Sequence, residues 1–190
     1  MSTPVDWSWK LQEAVDAIKK RYDLIGRKTG SPFLGIVYPP EAEEAVLREW
    51  HTLAASLKPE FDVRTIDVLA VTQTVIAQLG GENIVGAIAN PMPGSNPETE
   101  LAIMWIAALM EKVKECGKPP FHGKIVIVLE FLAALYPATG PRDLMQRLWD
   151  QEQSFLSGPV VVLIPGTLIE PRVYKFLDQI DELMYRGDLL

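Results

Sequence analysis

Residues 124–132, KIVIVLEFL, are an almost unbroken run of apolar, strand-favouring residues, and no other segment constrains the fold as much. A strand that is apolar on both faces must be covered on both, which is the condition of an interior strand in a parallel sheet flanked by helices. Phe33–Tyr38 (FLGIVY) and residues 160–164 (VVVLI) have the same character. Residues 61–66 (FDVRTI) instead alternate apolar and polar positions, so they read as a strand at an edge or half exposed. Pro39-Pro40 and Pro165-Gly166 are read as stops to the first and fourth of these strands.

Between the strands the apolar spacing is helical. Trp7, Leu11, Ala14, Val15, Ile18, Tyr22 and Ile25 recur at helical intervals over residues 5–25, and the basic loop Arg27-Lys28-Thr29 between Gly26 and Gly30 closes that helix. Trp7 and Trp9 cannot share one face, so one of them is expected to be exposed. Glu41, Glu43 and Glu44 suit the first turn of a second helix. Asp67 is expected to cap a third, over 68–79, and Asn96 with Pro97 to open a long one over 98–116. A further amphipathic helix is predicted over 141–157, through Leu144, Met145, Leu148 and Phe155. Residues 83–90 suit a helix turn or a strand equally, and the tail from Arg172 fits a helix better than a strand. The alternation predicts a single three-layer α/β domain over 1–190, with a mostly parallel sheet of about four to five strands flanked by helices.

Composition narrows function mainly by exclusion. One cysteine, Cys116, and two histidines, His51 and His122, cannot build a zinc-finger or iron–sulfur site within one chain. A lone cysteine also gives no intrachain disulfide, which fits a reducing, cytoplasmic compartment. The start, MSTPVDWSWK, lacks the basic and apolar regions of a signal peptide, and no uncharged run reaches the ~18 residues of a membrane span. A formal charge of −7 opposes a general grip on nucleic acid. A phosphate-binding loop should follow the first strand; that turn reads Tyr38-Pro39-Pro40-Glu41, and the nearest phrase, Gly26-Arg27-Lys28-Thr29-Gly30, precedes the strand. No G-x-G-x-x-G fingerprint or G-x-S-x-G elbow is present, and no cofactor is implied. Cys116 reads as a structural or merely exposed thiol, and His51 and His122 as surface residues. Glu130, inside the apolar run, has two readings: a buried carboxylate acting as base or ligand, or, preferred, one paired with Arg142, Arg147 or a backbone amide.

The C-terminal third carries the most specific signal. Residues 125–137 (IVIVLEFLAALYP) are followed by Arg142-Asp143-Leu144, then GPVVVLIPGT over 158–167, then Phe176-Leu177-Asp178 and Tyr185-Arg186. In order and spacing this resembles the BrxB family, components of bacterial BREX phage-defence clusters, with the likeness covering 31–190 and the N-terminal helix and basic loop over 1–30 added in front. The resemblance implies a cytoplasmic, non-enzymatic assembly or adaptor component. Its partners would be other BREX-like defence proteins, a PglZ-type protein and a large ATPase among them. Tyr136, Pro137, Arg142, Pro165, Gly166, Thr167, Tyr185 and Arg186 would form its family-specific binding surface, and no catalytic residue is carried over. The alternative is a degenerate nucleotide- or small-molecule-binding α/β enzyme at the carboxyl edge of the sheet, with Glu130 or Asp67 as its acid.

Overall fold

In chain order the strands are β1 (Phe33–Tyr38), β2 (Phe61–Asp67), β3 (Lys124–Glu130), β4 (Val160–Glu170), β5 (Val173–Phe176), β6 (Ile180–Leu183) and β7 (Gly187–Leu189). The computed structural model describes residues 7–25, 30–151 and 156–190. β2, β3, β4, β1 and β7 lie side by side in that order, every pair parallel. All six residues of β1 are buried, as are those of β3 after Lys124, whereas β2 at the edge is largely half exposed. The unbroken apolar runs therefore occupy the interior and the alternating one the margin, as their patterns predict.

Helices cover both faces because successive strand residues point to opposite sides. α1 (Ser8–Ile25) and α2 (Glu43–Ala55) pack on Leu34, Ile36, Tyr38, Val126, Val128, Val161 and Leu163. Phe33, Val37, Ile127, Leu129, Val160, Val162 and Ile164 face α3 (Val68–Leu79), α5 (Pro97–Cys116) and α6 (Pro141–Asp150). α4 (Gly81–Ala89) resolves the ambiguity of residues 83–90 in favour of helix, and none of its residues is buried. Asn96 caps α5 by accepting from the Thr99 amide, with Pro97 in the first turn. Trp7 is buried and Trp9 is 56% exposed, the division that their spacing requires. No helix among the described residues is long and apolar enough to cross a membrane.

Arg64 fastens the edge of the sheet to the segment that leads into β3. Its guanidinium donates to the carbonyls of Cys116, Lys118 and Pro120 at 2.9, 2.9 and 2.6 Å, and Asp62 accepts from it at 2.9 Å.

Three expectations are corrected. The tail from Arg172 is not helical: β5 and β6 form an antiparallel hairpin and β7 joins the parallel sheet beside β1. Leu177 and Asp178 turn that hairpin at φ 51° and 57°, a left-handed conformation uncommon for a leucine though readily taken by an aspartate. Pro165-Gly166 does not stop β4. The strand leaves the parallel sheet there and continues as the first arm of the hairpin, with the Pro165 carbonyl accepting from the Leu177 amide at 2.9 Å. The helix expected over 141–157 ends at Asp150. Phe155 and the basic loop Gly26–Thr29 lie outside the described residues.

Candidate functional site at the carboxyl ends of β1 and β3

Tyr38 and Glu130 are the last residues of β1 and β3, and both belong to the face that α2 covers. Pro39-Pro40 breaks the first strand, a short 3-10 turn over Pro40–Ala42 reverses the chain, and α2 then returns across these strand ends. Glu43 in its first turn comes close to Tyr38, and His51 two turns later reaches Glu130. The His51 Nε2 and a Glu130 carboxylate oxygen are 2.7 Å apart. This pairing corrects the expectation that Glu130 meets Arg142, Arg147 or a backbone amide. It also gives His51 a role beyond that of a surface residue, although its ring is 57% exposed.

Only 3% of Glu130 is exposed. Burial pushes its carboxyl above the usual carboxylate range, the nearby Asp67 charge adds to the rise, and the hydrogen bond to His51 opposes it. Glu43 is also raised, chiefly by burial, with the Glu130 charge contributing. Burial, with the charges of Glu43 and Glu130, lifts the Tyr38 hydroxyl beyond the ordinary phenol range. That hydroxyl is fully enclosed and makes no hydrogen bond of good geometry, though the Glu43 carboxyl is near enough to act on it.

Phe131 follows at φ 60°, ψ 41°, a left-handed conformation that costs a non-glycine residue about 1–2 kcal/mol. It bends the chain off β3 into a 3-10 turn over Leu132–Leu135. Its side chain joins Leu47, Glu43, Glu44, Arg48 and His51 around an open groove of about 620 Å³. A carboxylate-held imidazole at such a rim can accept and return a proton. None of the residues lining the groove is a hydroxyl, thiol or amine nucleophile. No group of three or more His, Cys, Asp or Glu among the described residues is arranged for a metal ion. Asp67, the other candidate acid, caps α3 by accepting from the Ala70 amide at 2.9 Å, as its place before that helix predicts.

Comparison with family models, curated proteins and solved structures gives no match.

Of the residues quoted for the BrxB resemblance, Arg142 lies on α6 and Thr167 on the hairpin, while Pro165 is paired with Tyr38 at the carboxyl end of β1. Tyr136 is 41% exposed and Pro137 is exposed beside it. Gly140 and Pro141 open α6, and the exposed Arg142 donates its backbone amide to Glu182 of β6 at 3.0 Å. Glu182 is 8% exposed and also accepts from the Tyr174 hydroxyl at 2.5 Å. Its carboxylate leaves no room for a side chain at Gly140, where a Cβ would lie 2.0 Å from Oε1. Arg186 stacks its guanidinium 4.7 Å from the centre of the Trp149 ring on α6, with Tyr185 half-buried next to it.

Pro165 and Gly166 are buried within β4, where a Cβ on Gly166 would meet the Lys175 carbonyl at 2.1 Å. The exposed Thr167 donates its hydroxyl to Asp178 at 2.7 Å. The likeness thus marks two kinds of position: exposed side chains at Tyr136, Pro137, Arg142, Thr167 and Arg186, and buried or half-buried ones at Pro165, Gly166 and Tyr185. Sequence reasoning missed Tyr38, Glu43, His51 and Phe131 as neighbours of Glu130, and Glu182 as the acid that caps α6. A histidine 79 residues from its carboxylate leaves no trace in local pattern.

Proposed function

We propose that this chain is a non-enzymatic adaptor of a BREX-like phage-defence assembly, working in the cytoplasm through contacts with a PglZ-type protein and a large ATPase. The observation that carries the reading is the turn after β1. In a parallel α/β sheet this is the place that receives a phosphate or dinucleotide, through backbone amides at a helix start. Here Pro39-Pro40 remove two amide donors, and Glu41, Glu43 and Glu44 oppose an anion. The clamping of Arg142 and Trp149 on α6 to Glu182 and Arg186 adds support, because it gives the C-terminal third a fixed shape on which exposed residues can be displayed. Co-expression with the products of the neighbouring defence genes tests it. Stoichiometric retention of the PglZ-type protein or the ATPase on tagged chain is expected. Loss of both, together with a melting temperature raised by ATP or a dinucleotide, would overturn the reading.

A second reading is favoured by the His51–Glu130 pair beside its groove. It makes the chain a small-molecule-binding or degenerate nucleotide-binding enzyme in which Glu130 holds His51 for proton transfer. Under that reading Glu130→Gln lowers any turnover found in a substrate panel by about 100-fold or more. Under the adaptor reading the same substitution leaves partner retention unchanged.

A further inference from the structure

Charge is distributed very unevenly over the chain. Residues 65–111 contain no Lys, Arg or His, yet hold Asp67, Glu82, Glu98, Glu100 and Glu111, most of the excess behind the net −7. The same stretch carries several of the exposed large apolar side chains among the described residues. On and around α4 and the first turns of α5, Leu79 is 36% exposed, Val85 67%, Ile88 42%, Met92 75%, Ile103 57% and Met104 37%. Leu79, Ile84, Ala87, Leu101 and Met104 line a groove of about 190 Å³ between these helices, with Glu100 at its margin. Singly exposed aliphatics are ordinary, but an apolar groove in a stretch whose charges are all acidic marks a surface suited to being covered in use.

We propose that the α4–α5 face binds a basic amphipathic helix of a partner protein. The groove runs between helices and offers no strand edge, so a helix with apolar residues at i, i+4 and i+7 is the element whose spacing fits it. Met104 supplies unbranched, adaptable contact area. Glu82, Glu98 and Glu100 select lysines and arginines flanking the apolar stripe, and they act mainly on recognition and association rate. A second copy of this chain is a poor occupant, because two such faces would bring carboxylate rims together. An anionic membrane surface is opposed for the same reason. The inference rests on the protein-docking reading above but not on the identity of the assembly.

The test is fluorescence anisotropy of the full chain with a labelled helical peptide of about 20 residues carrying a leucine stripe and a lysine-rich opposite face. Two controls accompany it, one with glutamate for lysine and one with the leucines scattered around the helix. The basic amphipathic peptide should bind at least tenfold tighter than either control and weaken with salt. Ala87→Lys with Met104→Lys, both exposed and lining the groove, should lower its affinity at least tenfold without moving the melting temperature. Glu98→Lys with Glu100→Lys should abolish the preference for the basic peptide. Equal binding of all three peptides, no binding, or a chain dimer that Ala87→Lys dissociates would each overturn the proposal. If the peptide fails while defence-gene products are still retained, only this surface assignment falls and the adaptor reading stands.

Discussion

Replacing His51 by alanine separates what the imidazole does for Glu130 from what burial does. Glu130 is 3% exposed and its described hydrogen bond is the 2.7 Å contact to His51. A hydrogen bond to an ionised group contributes about 1.5–3 kcal/mol, and the exposed half of the imidazole places this one near the lower end, about 1.5 kcal/mol. The cost should depend on pH in a defined direction. His51 lowers a Glu130 pKa that burial has raised, so His51→Ala raises it further. Above the folded value the variant must keep a buried, unpaired carboxylate or hold a proton against the solution, and the full penalty appears. Below it Glu130 is neutral with or without His51, and the loss should shrink to about 0.5 kcal/mol, that of a neutral hydrogen bond. Urea denaturation of wild type, His51→Ala, Glu130→Gln and the double variant at pH 8 and pH 4.5 closes a double-mutant cycle. A His51→Ala penalty equal at both pH values, or a coupling near zero at pH 8, would refute the account.

Three further outcomes follow from the geometry. Gly140→Ala should cost about 2–3 kcal/mol by pushing Glu182 off the start of α6 and stranding the Tyr174 hydroxyl; thermal melts should show that it adds little once Glu182→Ala is present. Arg64→Ala removes three carbonyl contacts from the 116–120 segment, so the backbone amides of that segment should exchange with solvent severalfold faster, read by hydrogen–deuterium exchange. Glu43, Glu130 and Glu182 are all held above the usual carboxylate range, so the folded chain keeps protons that the unfolded chain has released. Their contribution is complete below about pH 4.3 and is lost as pH rises through their folded values. Asp62, held low by Arg64, has the opposite sign and acts only below that range. Stability should therefore fall from mildly acidic to neutral pH, and Glu182→Gln should flatten the slope read by denaturant titration.

The parts of the fold legible in the sequence were those in which one periodicity had no competitor. The apolar run of β3 and the alternation of β2 each allowed one environment, interior and edge, and the structure places them there. The tail misled because Phe176, Leu177, Ile180, Leu183 and Met184 fall at helical intervals by coincidence. The inward positions of the hairpin are Tyr174 and Phe176 on one arm and Glu182 on the other, with Met184 just beyond it, a period of two hidden by a carboxylate on the buried side. Glu182 belongs there only because a helix start and a glycine wait for it, a long-range fact with no local signature. The candidate site was half legible in the same sense. Glu130 was conspicuous as a charge in an apolar strand, whereas His51 on a polar helix face resembled any solvated residue until the fold placed it over the strand end.

The place of β1 also bears on how the chain is made. β1 is flanked by β4 and β7, so Phe33 finds its partners only at Val160 and Gly187. At a ribosomal pace of about 5–20 residues per second, roughly 7–30 seconds separate the synthesis of β1 from that of its outer neighbour. During that interval an apolar strand with two unpaired borders exists in a crowded cell, open to any other extended chain. A nascent-chain chaperone has most to protect in this window. Any shortened version that omits the β7 segment should accumulate as aggregate, because it keeps that border open for good.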